Sequence, residues 1–117
     1  MVDTNAVVQD EIVDPTLLRV LGNKGSKDGE RDGGAYVKTL ANAILKVYSK
    51  HKLVKLRCVG AAAVNNAAKS IAIAQEDAER NGLDLVVKNK FTNVNFDGQV
   101  KTGILKIVFA NGDKPVM

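Results

Sequence analysis

Residues 60–75 limit the folding of this chain more than any other stretch. Lys69 is their only charged residue, and most of the rest are alanine or larger aliphatic residues. Apolar positions recur at steps of three and four, which predicts an α-helix over residues 60–81. Because this helix is apolar on more than one side, it must be buried on more than one side. In a chain of 117 residues, we expect the second side to meet another copy of the chain.

The segments before this helix predict a strand, a loop, a helix and a second strand. Residues 16–21 are a short apolar run, and residues 22–34 hold five glycines with three basic and three acidic residues, which is typical of a loop. Residues 35–51 repeat apolar positions with helical spacing. Residues 53–59 alternate, so that Lys55 and Arg57 lie on one face of a half-buried strand.

The segments after it predict a β-hairpin. Residues 83–91 and 99–109 are rich in aliphatic residues, and Asp97-Gly98 between them is a two-residue turn signal. Val94 falls out of phase with Phe91, which predicts a bulge or twist near residues 92–93.

This order of elements predicts one α/β domain of the two-layer α+β kind. Right-handed crossovers would place both helices on one face of a mixed four-stranded sheet, with the hairpin projecting from it. The predicted boundaries are an acidic N-terminal arm over residues 1–15, the domain over 16–110 and a C-terminal tail over 111–117.

Charge is distributed unevenly between these parts. The arm carries four acidic residues and no basic one, whereas the rest of the chain holds all 17 basic residues and the other nine of the 13 acidic ones. A basic body favours a polyanionic partner, most commonly a nucleic acid. The acidic arm is then expected to compete with that partner for the basic surface.

Several classes of chemistry have no support in the sequence. Cys58 is the single cysteine and lies on the apolar side of its strand, and His51 is the single histidine, at a helix end. No P-loop ending follows the glycine-rich segment. We therefore expect a protein that is not an enzyme and uses no cofactor or metal. No apolar run reaches the roughly 18 residues that span a membrane, and we expect a cytoplasmic protein.

The candidate site is instead a binding surface made of three basic clusters and one polar helix start. The loop, the second strand and the hairpin supply the cations, which are suited to phosphate groups. The start of the alanine-rich helix adds amides beside free backbone N–H groups. The predicted nucleic-acid-binding residues are Lys24, Lys27, Arg31, Lys55, Arg57, Asn65, Asn66, Lys69, Lys88, Lys90 and Lys101. With few aromatic residues, we expect backbone contacts of low sequence specificity.

The sequence Gly60–Gln75 (GAAAVNNAAKSIAIAQ) resembles the second-helix signature of the stage V sporulation protein S family. Further matching features are the strand that opens at Leu83, the Asp97-Gly98 turn and Lys101-Thr102 before the last strand. The resemblance covers about residues 16–110.

That family is similar in fold to the Alba group of small basic chromatin proteins. The resemblance implies an Alba-like fold, DNA or RNA as partner, and a homodimer or higher oligomer through the alanine-rich second helix. It also implies a role in sporulation, development or nucleoid organisation. Two alternatives stay open: a structural protein that assembles into a filament or lattice, and a small-ligand-binding regulator.

Overall fold

The computed structural model describes residues 14–22 and 30–113, with the backbone alone described for residues 30–33. The predicted arm and tail therefore lie largely outside the described residues. The elements in chain order are β1 (Leu17–Val20), α1 (Glu30–His51), β2 (Val54–Cys58), α2 (Ala61–Arg80), β3 (Leu85–Phe96) and β4 (Gln99–Ala110). This is the predicted β-α-β-α-β-β order, and the α+β fold is confirmed.

The four strands form one mixed sheet in the order β1-β2-β4-β3. β1 runs parallel to β2, while β4 is antiparallel to both of its neighbours. The parallel pair needs a crossover, and α1 supplies it. The β3–β4 hairpin places β3, the longer of the two edge strands, at the far side of the sheet.

Both helices pack on one face of this sheet, which we call the helix face. The strand side chains that point to it include the fully buried Val54, Leu56 and Cys58 of β2, which join Ile44 of α1 and Ala67 of α2 in one core. Alanine at the α2 contact lets the helix approach the sheet and α1 closely. The opposite face carries no helix from the described parts of the chain, and we call it the open face.

Helix α1 begins earlier than the sequence pattern predicts. It starts at Glu30 rather than near residue 35, so the predicted loop over residues 22–34 is wrong for its last five residues. Glycine near a helix start costs about 1 kcal/mol relative to alanine.

The hairpin turn is confirmed. Of the bulge or twist predicted near residues 92–93, the bulge is wrong. Asp97 and Gly98 have φ angles of 52° and 82°, as a two-residue type I′ turn requires. The β3–β4 register runs without interruption from Leu85↔Ala110 to Phe96↔Gln99. The apolar pattern changes phase at Val94 because β3 has a buried residue on each face. Leu85 is buried on the helix face and Val94 on the open face.

The hairpin projects beyond the rest of the sheet, as predicted. β2 pairs with β4 only from Ile104 to Val108. The hairpin residues 92–102 therefore extend past the end of β2, and we call them the hairpin arm. Gly103 marks this boundary, and a Cβ there would overlap the carbonyl oxygen of Cys58. Only glycine allows the two strands to approach this closely. No helix in the described parts of the chain is long and apolar enough to cross a membrane.

Candidate functional site

Strand alternation brings cations from two parts of the sequence to the open face. In β2, Lys55 and Arg57 point away from the helices because their neighbours Val54, Leu56 and Cys58 fill the core. In β3, Lys88 and Lys90 occupy the open-face positions and are exposed. The predicted second-strand and hairpin clusters therefore share one surface.

The register arranges these four cations in two parallel rows. Ile107 of β4 pairs with Lys55 on one side and Lys88 on the other, and Leu105 pairs in the same way with Arg57 and Lys90. With about 4.8 Å between strands and about 3.4 Å per residue, Cα atoms of like position lie about 10 Å apart across a row and about 7 Å apart between rows.

The centre of this surface is apolar and closely covered. Ile107 is only 1% exposed although no helix lies on the open face of the described structure. The half-buried residues Leu105 and Phe109 flank Ile107 on the same strand and the same face. Apolar residues of β4 therefore line the centre of this surface.

A fifth cation on this surface was not among the predicted site residues. Arg19 of β1 pairs with Arg57 of β2 in the parallel register, so both guanidinium groups belong to the same row as Lys90. The sequence did indicate that Arg19 points away from the core, because it stands between Leu18 and Val20 in an apolar run. The register of β1 against β2, which places Arg19 beside Arg57, could not be predicted from the sequence.

Lys101 lies on the same face of the sheet, within the hairpin arm. It occupies an open-face position of β4, and its Nζ lies 5.8 Å from the centroid of the Phe96 ring. Phe96 is 44% exposed, so the ring and the ammonium group are both accessible. Six cations therefore lie on the same face of the sheet, and we call this set the basic face: Arg19, Lys55, Arg57, Lys88, Lys90 and Lys101.

One carboxylate partly neutralises the basic face. The Asp14 Oδ2 atom lies 2.6 Å from the Lys55 Nζ atom. The Thr16 backbone N–H donates to Asp14 Oδ1 over 3.1 Å, and the Thr16 hydroxyl donates to the same atom. Partial burial raises the pKa of Asp14, but the hydrogen bonds from Lys55 and Thr16 outweigh that effect and leave its pKa below the ordinary value. Asp14 thus stays charged at neutral pH.

The loop cluster cannot be compared with this geometry. Lys24 and Lys27 lie outside the described residues, and the side chain of Arg31 is not described. Arg31 itself belongs to the first turn of α1 rather than to a loop.

The predicted helix residues do not join the basic face. Asn65 and Lys69 are exposed on α2, in the other layer of the domain. Asn66 is engaged within the fold, because its Nδ2 donates to the carbonyl oxygens of Leu21 and Gly22 over 2.9 Å and 3.2 Å.

The backbone of Leu21 makes a second contact, which no pattern in the sequence predicted. The Leu21 N–H donates to the Tyr36 hydroxyl over 2.8 Å. Asn66 and Tyr36 therefore fix both the carbonyl and the amide of Leu21, where the chain leaves β1. The segment that carries Lys24 and Lys27 starts from this anchored point.

The nucleophilic and metal-binding groups take no part in this surface. Cys58 is fully buried, and burial raises the pKa of its thiol. His51 is exposed at the end of α1. Among the described residues, no three His, Cys, Asp or Glu side chains come together in a way that would hold a metal ion.

Part of this chain matches the model of a known protein family. Residues 32–111 match the model described as Stage V sporulation protein S. The matched region includes most of α1 and the whole of β2, α2, β3 and β4. It therefore contains five of the six cations of the basic face, all except Arg19.

Proposed function

The chain belongs to the stage V sporulation protein S family, which is sporulation-related, and from that premise we propose that it binds DNA or RNA through the basic face. The proposed role is non-enzymatic, in development or nucleoid organisation. The observation that carries this proposal is the pair of cation rows on a sheet face that no described helix covers. The strands already hold the backbone of these cations in place, so phosphate binding requires less backbone ordering than it would on a flexible tail.

The chemistry of the basic face favours contact with the nucleic-acid backbone. Lysine and arginine neutralise phosphates and release condensed counterions, which gives affinity without reading sequence. The apolar residues at the centre of the two rows, Ile107 and Leu105, offer no hydrogen bonds to base edges. Phe96 is the one exposed aromatic residue on this face among the described residues. We therefore propose low sequence specificity.

The proposal includes a homodimer formed through α2. Ala61, Asn65, Ala68 and Ala72 are exposed and follow helical spacing on the side of α2 that faces away from the core. Small residues allow two helices to approach closely, and a second copy would cover them. A dimer would also present two basic faces to one nucleic acid.

The test is a fluorescence-anisotropy titration with duplex DNA, single-stranded DNA and RNA over a range of salt concentrations. Six phosphate contacts predict a slope of about −5 for log affinity against log salt on duplex DNA. The double substitution Lys88→Gln, Lys90→Gln removes two contacts and should make that slope shallower by about 1.8.

The matched control is Lys38→Gln, Lys46→Gln, which changes the net charge equally at two exposed positions of α1. It should leave the slope unchanged. An equal effect of both double variants would mean that overall charge, not the basic face, drives binding. The absence of binding to all three nucleic acids at low salt would refute the proposal and favour the self-assembly alternative.

A further inference from the structure

The outer edge of β3 is long, regular and open. β3 has 12 residues, which corresponds to about 40 Å of extended chain at ~3.4 Å per residue. It is the last strand of the sheet and pairs with β4 alone in the described structure. It contains no proline, and its register shows no bulge. Edge strands with these properties are templates for pairing with another strand.

The hydrogen bonds at the start of β3 show which backbone groups point outward. The Asp84 carbonyl accepts from the Asn111 N–H over 2.7 Å, on the β4 side. The next residue, Leu85, donates its N–H to Gln75 Oε1 over 2.8 Å instead. Because antiparallel pairs alternate along a strand, even-numbered residues of β3 bond to β4. The outward N–H and C=O groups belong to Val87, Asn89, Phe91, Asn93 and Asn95.

The middle of this edge is apolar. Phe91 is 79% exposed, the largest exposed fraction among the large hydrophobic residues of the described structure. It lies on the helix face of the sheet, at a position that the helices do not reach, beside the half-buried Ile104. An exposed phenylalanine on an unpaired edge strand is a feature that soluble proteins usually avoid. We propose that β3 pairs antiparallel with β3 of a second copy, about a two-fold axis at Phe91.

The lysines of β3 select this register. An axis at Asn89 would set Lys88 opposite Lys90, and an axis at Lys90 would set that lysine opposite itself. Like charges directly opposite each other destabilise a strand pair. With the axis at Phe91, Lys88 lies opposite Val94 and Lys90 lies opposite Thr92. The two Phe91 side chains then meet across the axis.

An axis one residue further along, at Thr92, also avoids facing lysines. It shortens the paired segment, however, and sets Phe91 opposite Asn93. The axis at Phe91 is therefore the register that pairs the outward groups from Val87 to Asn95, separates the lysines and covers both phenylalanines. Pairing of this kind is isologous, as a two-fold dimer requires.

Cysteine cross-linking tests the register directly. In the proposed pair, the two residues at position 91 lie about 5.5 Å apart between Cα atoms, within the disulfide range. Phe91→Cys should form an intermolecular disulfide under mild oxidation. Asn93→Cys is the matched control, since it is exposed on the same strand and face, yet its symmetry mate would lie about 14 Å away. The native Cys58 is buried and should contribute no background.

The solution mass provides a second measurement. Phe91→Lys would set two lysines opposite each other at the axis. Because the Phe91 side chain is 79% exposed, the substitution should leave the fold of each copy intact, which circular dichroism checks. We expect it to at least halve the mass found by sedimentation. Val100→Lys, at an exposed position on β4, should not alter the mass.

Three results would overturn the proposal. They are equal cross-linking of the two cysteine variants, no cross-linking of either, and a mass that Phe91→Lys leaves unchanged. Nucleic-acid binding does not enter these readouts, so the outcome is independent of the function proposed above.

Discussion

Gly103 and Gly34 differ in what a Cβ atom would meet. At Gly103 it would overlap the backbone of Cys58, whereas at Gly34 nothing lies within 4 Å. We expect Gly103→Ala to lower the free energy of unfolding by about 3 kcal/mol, because β4 and β2 must separate. Gly34→Ala should raise it by about 0.5–1 kcal/mol, because alanine favours the helix. Urea denaturation measures both, and a loss at Gly34 or no loss at Gly103 would contradict this packing.

The Asp14–Lys55 ion pair predicts an effect on both stability and binding. The folded-state pKa of Asp14 is depressed, so its stabilising contribution is present above the ordinary pKa of about 3.8 and is lost as the pH falls through the lower, folded value. Asp14→Asn should therefore be less stable than the wild type at pH 6, and the difference should shrink below pH 4.

The same substitution should strengthen binding to a polyanion, because it frees Lys55. Anisotropy titration at pH 7 measures this, with Glu76→Gln as a control that changes the charge equally at an exposed position of α2, in the other layer of the domain. Equal tightening by both variants would show that Asp14 has no specific effect on the basic face.

At the scale of elements, Asn66 ties α2 to the end of β1. Asn66→Ala removes two hydrogen bonds to the backbone of Leu21 and Gly22 and should cost about 1–2 kcal/mol of unfolding free energy. Asn65→Ala, at the exposed neighbouring position, should change stability by less than about 0.5 kcal/mol. Thermal denaturation of both variants is sufficient. Equal costs would mean that the contacts of Asn66 contribute nothing to the junction.

Most elements could be predicted from the sequence because their patterns are local. Strand alternation gave the faces of Lys55, Arg57, Lys88 and Lys90, and the Asp97-Gly98 pair gave the turn. The start of α1 could not be predicted, because glycine and charge favour a loop locally. The position of Arg19 depends on the pairing of β1 with β2, and such long-range registers leave no local signal.

The edge position of β3 is a further property that local patterns do not contain. Consecutive strands usually neighbour one another, and β3 does pair with β4, but β4 rather than β3 lies against β2. This order leaves β3 with one open side. Phe91 shares a strand face with the buried Leu85, yet it lies exposed in the structure.

For the whole molecule, the proposed α2 dimer and the proposed β3 pair are separate surfaces. Ala68→Glu places a charge in the exposed alanine face of α2 and should abolish the α2 dimer while leaving Phe91→Cys cross-linking intact. Sedimentation of the single variants and of Ala68→Glu combined with Phe91→Lys measures the two contributions. The combined variant should be a monomer; if Ala68→Glu has the mass of the wild type, α2 is not an interface.

β2 ends opposite the part of β4 that begins at Gly103, and beyond this point the hairpin arm consists of β3 and β4 alone. A two-stranded ribbon lacks the third strand that restrains its twist, so it can coil more than the sheet that bears it. The hairpin arm from Thr92 to Asp97 is about 17 Å long at ~3.4 Å per residue, so a bend of about 10° at its base would displace the tip by about 3 Å. Lys101 and Phe96 travel with that tip, while the cations of β2 stay fixed to the core. In a single copy, the basic face therefore joins cations that are fixed to the core with a cation on a two-stranded arm. In the proposed β3 pair, β3 of the second copy would add a third strand to that arm and restrain its twist.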